Sequence, residues 1–167
     1  MAQLTYSANP AVGFSGMIAE GFTSPKQVDS KLVETDPIQF GTSVEAGTDA
    51  RNQVITLATL ANWSGLAIAA SNVEVATGET GEYAVEVSVP IMTRGRVFVT
   101  AGGAVAVGDR VEPATGVGGK FTTVATPTVG LQIVAVARSV AVADEDLLEI
   151  EISTNPAAGQ PLAEKGV

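Results

Sequence analysis

Carboxylates are the one chemically capable side chain that this sequence concentrates. Asp144-Glu145-Asp146 runs on to Glu149 and Glu151, an oxygen-rich stretch of the kind that can hold calcium. An EF-hand loop needs ligands at alternating positions, a glycine at the sixth and a glutamate at the twelfth. Counted from Asp144, those positions hold Glu149 and Asn155, so the stretch reads as a solvated turn leading into the outer face of a strand. A carboxylate pair such as Glu86 with Glu149 or Glu151 would suit a glycosidase if strand register brought it within about 5–9.5 Å, but no groove for a sugar is legible. Arg94-Gly95-Arg96 places two guanidinium groups on one side of an extended chain. Such a pair clamps carboxylates on a partner or on a neighbouring copy, or else makes weak surface ion pairs.

What is missing bounds the chemistry further. The chain has no cysteine and no histidine, which removes disulfides, thiolate nucleophiles, zinc–thiolate sites and the commonest general base and metal ligand. Gly13-Phe14-Ser15-Gly16 has the wrong glycine spacing for a nucleophile elbow and no histidine to serve it. Gly116-Val117-Gly118-Gly119 lacks the Lys-Ser/Thr and the helix pattern of a phosphate loop and reads as a turn. Asn62-Trp63-Ser64 fits a glycosylation sequon without a secretory context. Trp63, the single tryptophan, reads as a core plug. The expectation is a protein without catalysis, cofactor or metal.

The elements that position these residues follow from composition. A length of 167 residues suits one domain with an arm. Hydrophobic residues make up 46% and aromatic ones 5%, so the core is built from small and β-branched side chains, which favour strands. The net charge of −9, from 18 acids against 9 bases, disfavours nucleic acid and favours solubility at high local concentration. The N-terminus lacks the pattern of a signal peptide, and no window approaches the roughly 20 apolar residues of a membrane span. A soluble protein made in a cytoplasm is expected.

Residues 1–36 read as an extended N-terminal arm, apolar but punctuated by Asn9-Pro10, Gly13, Gly16, Gly21 and Ser24-Pro25 too densely for a helix. Within it, Gln27 to Asp36 reads as a short helical turn or a loop. A segment that needs burial without being able to fold alone gains it from another chain. That makes Leu4, Tyr6, Pro10, Val12, Phe14, Met17, Ile18 and Phe22 candidate interface residues toward another chain, with Arg94 and Arg96 as polar candidates. Residues 37–154 read as an all-β domain, a small antiparallel β-barrel or sandwich. Its strands are expected at Ile38–Phe40, Asn52–Thr59, Gly65–Ala69 and Tyr83–Val89, the last stopped by Pro90. Further strands are expected at Arg96–Thr100, Arg110–Pro113, Lys120–Val124, a central Leu131–Arg138, and Leu148–Ile152. No internal repeat is evident. Residues 155–167 read as a flexible tail.

Leu4-Thr5-Tyr6-Ser7-Ala8-Asn9-Pro10-Ala11-Val12-Gly13-Phe14-Ser15-Gly16-Met17-Ile18-Ala19 resembles the start of the structural cement, or capsid decoration, proteins of tailed bacteriophages. Ile38-Gln39-Phe40-Gly41-Thr42-Ser43-Val44 with Ala46-Gly47-Thr48 resembles that family's second block, and Arg94-Gly95-Arg96-Val97-Phe98-Val99 with Gly108-Asp109-Arg110-Val111 its barrel. The resemblance implies a non-enzymatic protein on the outer surface of an icosahedral head, whose partners are the major capsid protein and other copies of itself. A trimer is favoured and a dimer allowed. Alternatives are a tail-tube or head-completion protein of a phage, and a small carbohydrate-binding module or carboxylate-dependent glycosidase.

Overall fold

The computed structural model describes residues 13–19, 26–69, 81–115, 119–126 and 128–154. The described chain is almost entirely β. Its early strands are β1 (Gln27–Val33), β2 (Ile38–Gln39), β3 (Ser43–Ala46), β4 (Gln53–Thr56) and β5 (Trp63–Ala67). There follow β6 (Glu82–Tyr83), the long β7 (Ser88–Gly102), β8 (Arg110–Pro113), β9 (Phe121–Thr123), β10 (Ile133–Ala137) and β11 (Asp144–Thr154). A single 3₁₀ turn, Leu60–Asn62, precedes β5. Among the described residues no helix is long and apolar enough to cross a membrane.

Strand β7 organises the molecule. Nine strands run in the order β1-β4-β3-β5-β7-β11-β10-β8-β9, and the additional pairings β1–β7 and β7–β9 close this sheet twice. The first half of β7 completes a ring with β1, β4, β3 and β5, and its second half completes a ring with β11, β10, β8 and β9. Closure leaves few unpaired edges. Each ring has its own core. The first holds Val33, Ile38, Phe40, Val44, Val54, Ala67, Tyr83, Val89 and Ile91. The second is larger, with Val97, Val99, Phe121, Leu131, Ile133, Leu148, Ile150 and Ile152 among its members. Trp63, on the first ring, is buried in this second core. It meets Phe121 edge-on at 5.9 Å and donates its indole N–H to the Gly65 carbonyl.

The two rings repeat one connectivity. Each has a single parallel pair, β1 with β4 and β7 with β9, in the same place among antiparallel neighbours. The hydrogen bonds repeat too. Gly41 N–H donates to Ala67 O, and Ala67 N–H to Thr42 O; Gly108 N–H donates to Ala137 O, and Ala137 N–H to Asp109 O. Leu57 N–H to Ser43 O matches Val124 N–H to Arg110 O, and Gly47 N–H to Gln53 O matches Ala114 N–H to Lys120 O. Gly41 and Gly108 both have positive φ, at 77° and 90°. Among the described residues the only non-glycine positions with positive φ, Glu86 at 64° and Glu145 at 71°, stand at equivalent turns. With this guide residues 41–59 align with residues 108–126 without a gap. Gly41-x-x-Val44-Glu45 lies over Gly108-x-x-Val111-Glu112, and Thr56-x-Ala58-Thr59 over Thr123-x-Ala125-Thr126.

Several sequence expectations need correction. Gln27–Val33 is a wall of the first ring, not a helical turn or a loop. Its outer face is solvated, so its polar side chains are compatible with a strand. The alternation at Tyr83–Val89 is not one strand, because a turn at Val85–Val87 separates β6 from β7 and leaves both valines partly exposed. Pro90 does not stop β7. It sits near the strand's start opposite Ser30, where a missing donor is tolerated. β10 is buried only on alternate residues, and the central strand is β7. A repeat is present in the structure although none was evident in the sequence.

Candidate functional site

The segment Gly13–Ala19 lies along β7 at the junction of the rings. Gly16 N–H donates to Phe98 O at 2.7 Å, Phe98 N–H to Met17 O at 2.8 Å, and Ala19 N–H to Arg96 O at 3.0 Å. Ile18 pairs antiparallel with Val97 and packs on the second core. The same segment reaches the first ring, where Ala69 N–H donates to Gly16 O at 2.9 Å. Gly16 has φ +85°, and a Cβ there would stand 2.7 Å from Gly41 N and 2.8 Å from Phe40 Cβ. Only glycine combines that backbone with so close an approach.

Of the arm residues singled out from sequence, Met17 and Ile18 are half-buried against their own chain, whereas Phe14 is 51% exposed. Leu4, Tyr6, Pro10, Val12 and Phe22 lie outside the described residues. Arg94 is exposed on β7. Arg96 is engaged within the chain, its Nε 3.2 Å from Glu151 and one terminal nitrogen 3.7 Å from Glu149. Arg138 holds the same Glu151 oxygen through Nε at 2.9 Å and a terminal nitrogen at 2.8 Å. Burial works to raise the Glu151 carboxyl, but the hydrogen bonds and charges of Arg96 and Arg138 outweigh it and hold the group below its ordinary value. Glu149 and Glu151 therefore face arginines on the second ring, and Glu86 stands at a turn of the first.

The acid cluster is structural in its contacts. Lys120 bridges Asp144, at 2.8 Å, and Glu145. The hydrogen bonds that Lys120 donates to these carboxylates raise the lysine pKa, and the one accepted by Asp144 lowers that carboxyl's. Asp146 accepts the N–H groups of Val142 and Ala143 at 2.7 and 2.8 Å. Among the described residues no group of His, Cys, Asp and Glu is arranged to hold a metal ion.

Two further features were not read from the sequence. Glu45 and Glu112 are buried at equivalent positions of the two rings. Glu45 accepts the N–H groups of Ala58 and Thr59, and Glu112 accepts the N–H and hydroxyl of Thr128. Each pins the loop that follows the second strand of its hairpin. Their shared Val-Glu context is the signal that would have found them. The second feature is an apolar corner on the second ring. Val107, Val140 and Val142 are 59%, 58% and 79% exposed; Val140 and Val142 line a shallow groove of about 410 Å³ with Val105, Ala106, Ala141 and Asp109, and Val107 follows Ala106 in the chain.

The double-ringed β body with its anchored N-terminal segment has relatives by sequence and by fold. Residues 2–153 match the family model described as structural cement protein (E217 gp24/Pam3 gp6). The chain belongs to the structural cement protein family. No curated protein matches the sequence. Among solved structures, a chain from the capsid of Myoviridae phage XM1 shares the fold, with a TM-score of 0.62, 16% identity, and 90% of this chain and 96% of that one covered. The head fiber gp8.5 N base of bacteriophage phi29 aligns with a TM-score of 0.45 and 14% identity, over 77% of this chain and 95% of that one. The family match takes in both rings and the anchored segment of this cement protein.

Proposed function

We propose that this cement protein sits on the outer surface of a tailed-phage icosahedral head and bridges adjacent major capsid subunits, without catalysis or cofactor. Membership of the structural cement family carries the reading, and the capsid origin of a chain with the same fold supports it. The N-terminal arm ahead of β1 holds the working strap. Backbone bonds at Gly16, Met17 and Ala19 fix its base to β7, and Leu4, Tyr6, Pro10 and Val12 ahead of that base, with exposed Phe14, meet capsid or a sister copy. Phe22 and exposed Arg94 add contacts, and Arg96 serves chiefly to hold β11. The body is rigid because the sheet closes twice, so contacts at its two ends are held at fixed spacing. Copies associate in closed symmetry, a trimer in preference to a dimer. A net charge of −9 suits the face of the shell away from packaged DNA. Many modest contacts repeated around a shell sum to a large stabilisation.

Deletion of residues 2–12 leaves the anchored segment in place and tests the strap. Binding to undecorated empty heads, followed by co-sedimentation over a concentration series, is expected to weaken at least tenfold. Unchanged affinity would overturn the strap.

A further inference from the structure

We infer that the apolar corner of the second ring is a docking site for residues 1–12 of a second copy of this chain. The inference rests on the strap reading and specifies where the strap lands.

The repeat makes the two corners comparable. In the first ring, β2 enters the corner through the pair Ile38–Tyr83, and Phe40 and Gly41 follow. In the second, Val105 pairs with Ala141, and Val107 and Gly108 follow. The first corner is covered. Phe40 is 7% exposed and packs on Tyr83 at 5.0 Å, while Ser15 and Gly16 lie against Gly41. The second corner is bare. Val107 is 59% exposed, and no described atom lies within 4 Å of a Cβ built at Gly108. The described arm segment thus occupies the first of two equivalent corners and leaves the second open.

The occupant follows from charge and length. Asp109 lines the second corner and Asp146 accepts the N–H groups of Val142 and Ala143 beside it, which gives the corner an acidic border. A segment rich in acids is repelled there, and copies of net charge −9 offer many. Residues 1–12 carry no charged side chain and supply Leu4, Tyr6 and Val12. They lead directly into the anchored segment at Gly13, beside Phe98, and extended they span about 40 Å, enough to leave one body and lie on the next. Arm-to-corner contact is heterologous, and it closes into a ring when the rotation between copies allows.

The cysteine-free sequence gives a direct test. Empty heads are decorated with an equimolar mixture of an affinity-tagged Tyr6→Cys protein and an untagged Val142→Cys protein, then mildly oxidised. The expected result is a mixed disulfide pair as the main oxidised product on a non-reducing gel, lost when the Val142→Cys protein also carries Val107→Asp. Absence of the mixed pair from well-decorated heads overturns the docking site. So does a double variant, Tyr6→Cys with Val142→Cys, that closes only within single chains. Neither result touches the strap reading, which stands or falls on whether deletion of residues 2–12 weakens decoration.

Discussion

Removing the Glu112 carboxylate strands the Thr128 N–H and hydroxyl that it accepts. Glu112→Ala is expected to cost about 1–3 kcal/mol, read as a lowered urea midpoint with unchanged slope. Glu112→Gln, which keeps an acceptor oxygen, should recover part of the loss. The equivalent Glu45→Ala should behave alike, because Glu45 serves Ala58 and Thr59 in the same way. Glu151 has a different role, on the surface between Arg96 and Arg138. Its folded-state pKa lies below the ordinary value of 4.5. Its stabilisation is therefore fully present above that value and lost as pH falls through the folded-state value. Glu151→Gln should flatten the acid limb of the protein's melting temperature between about pH 5 and pH 3. An acid limb as steep as the parent's would show that the arginine cluster is idle. The exposure of Glu151, 37% of its side chain, keeps the effect modest.

β7 is the element on which the rings depend jointly. Met92, fully buried where the halves of the strand meet, faces Val28 across one ladder and Leu66 across the other. Met92→Ala is expected to cost about 2–5 kcal/mol, and both rings should be lost together. Trp63 fluorescence and far-UV circular dichroism should then trace one coincident unfolding curve; two separated transitions would show that the rings fold independently. Strands with one buried face were legible from residue period alone. Leu148, Ile150 and Ile152 alternate with Glu149 and Glu151, and Arg110–Pro113 was bounded correctly by its glycine turn and its proline. β1 was illegible because most of its residues face solvent, which removes the alternation that marks a strand. The Glu86 turn was hidden because positive φ at a glutamate leaves no trace in composition. The repeat escaped notice because its halves share backbone geometry more than side chains, and a few Gly, Val, Glu, Thr and Ala positions carry it. Arg94 and Arg96 were legible as a pair, but the commitment of Arg96 to Glu149 and Glu151 depends on a cross-strand register with β11 that spacing does not encode. The second ring's apolar corner assembles from residues far apart in the chain and had no local signature.

For the whole molecule, crowding is an electrostatic matter. Copies of charge −9 repel at close spacing, and salt screens that repulsion over a Debye length of about 10 Å at 0.1 M. Sedimentation velocity at high protein concentration should show self-association rising between 0.02 and 0.3 M salt; a fall would mean that ion pairs between copies dominate. The arm's base has a direction built into it. The bonds that join Gly16, Met17 and Ala19 to Phe98 and Arg96 lie across an antiparallel pairing, roughly perpendicular to β7. A pull on the arm along the strand axis loads these bonds in shear, so they must break together. A pull away from the sheet peels them one after another. The junction is thus tough to tangential strain and soft to lifting, and a strap lying flat on an expanding shell would be stretched along its tough axis.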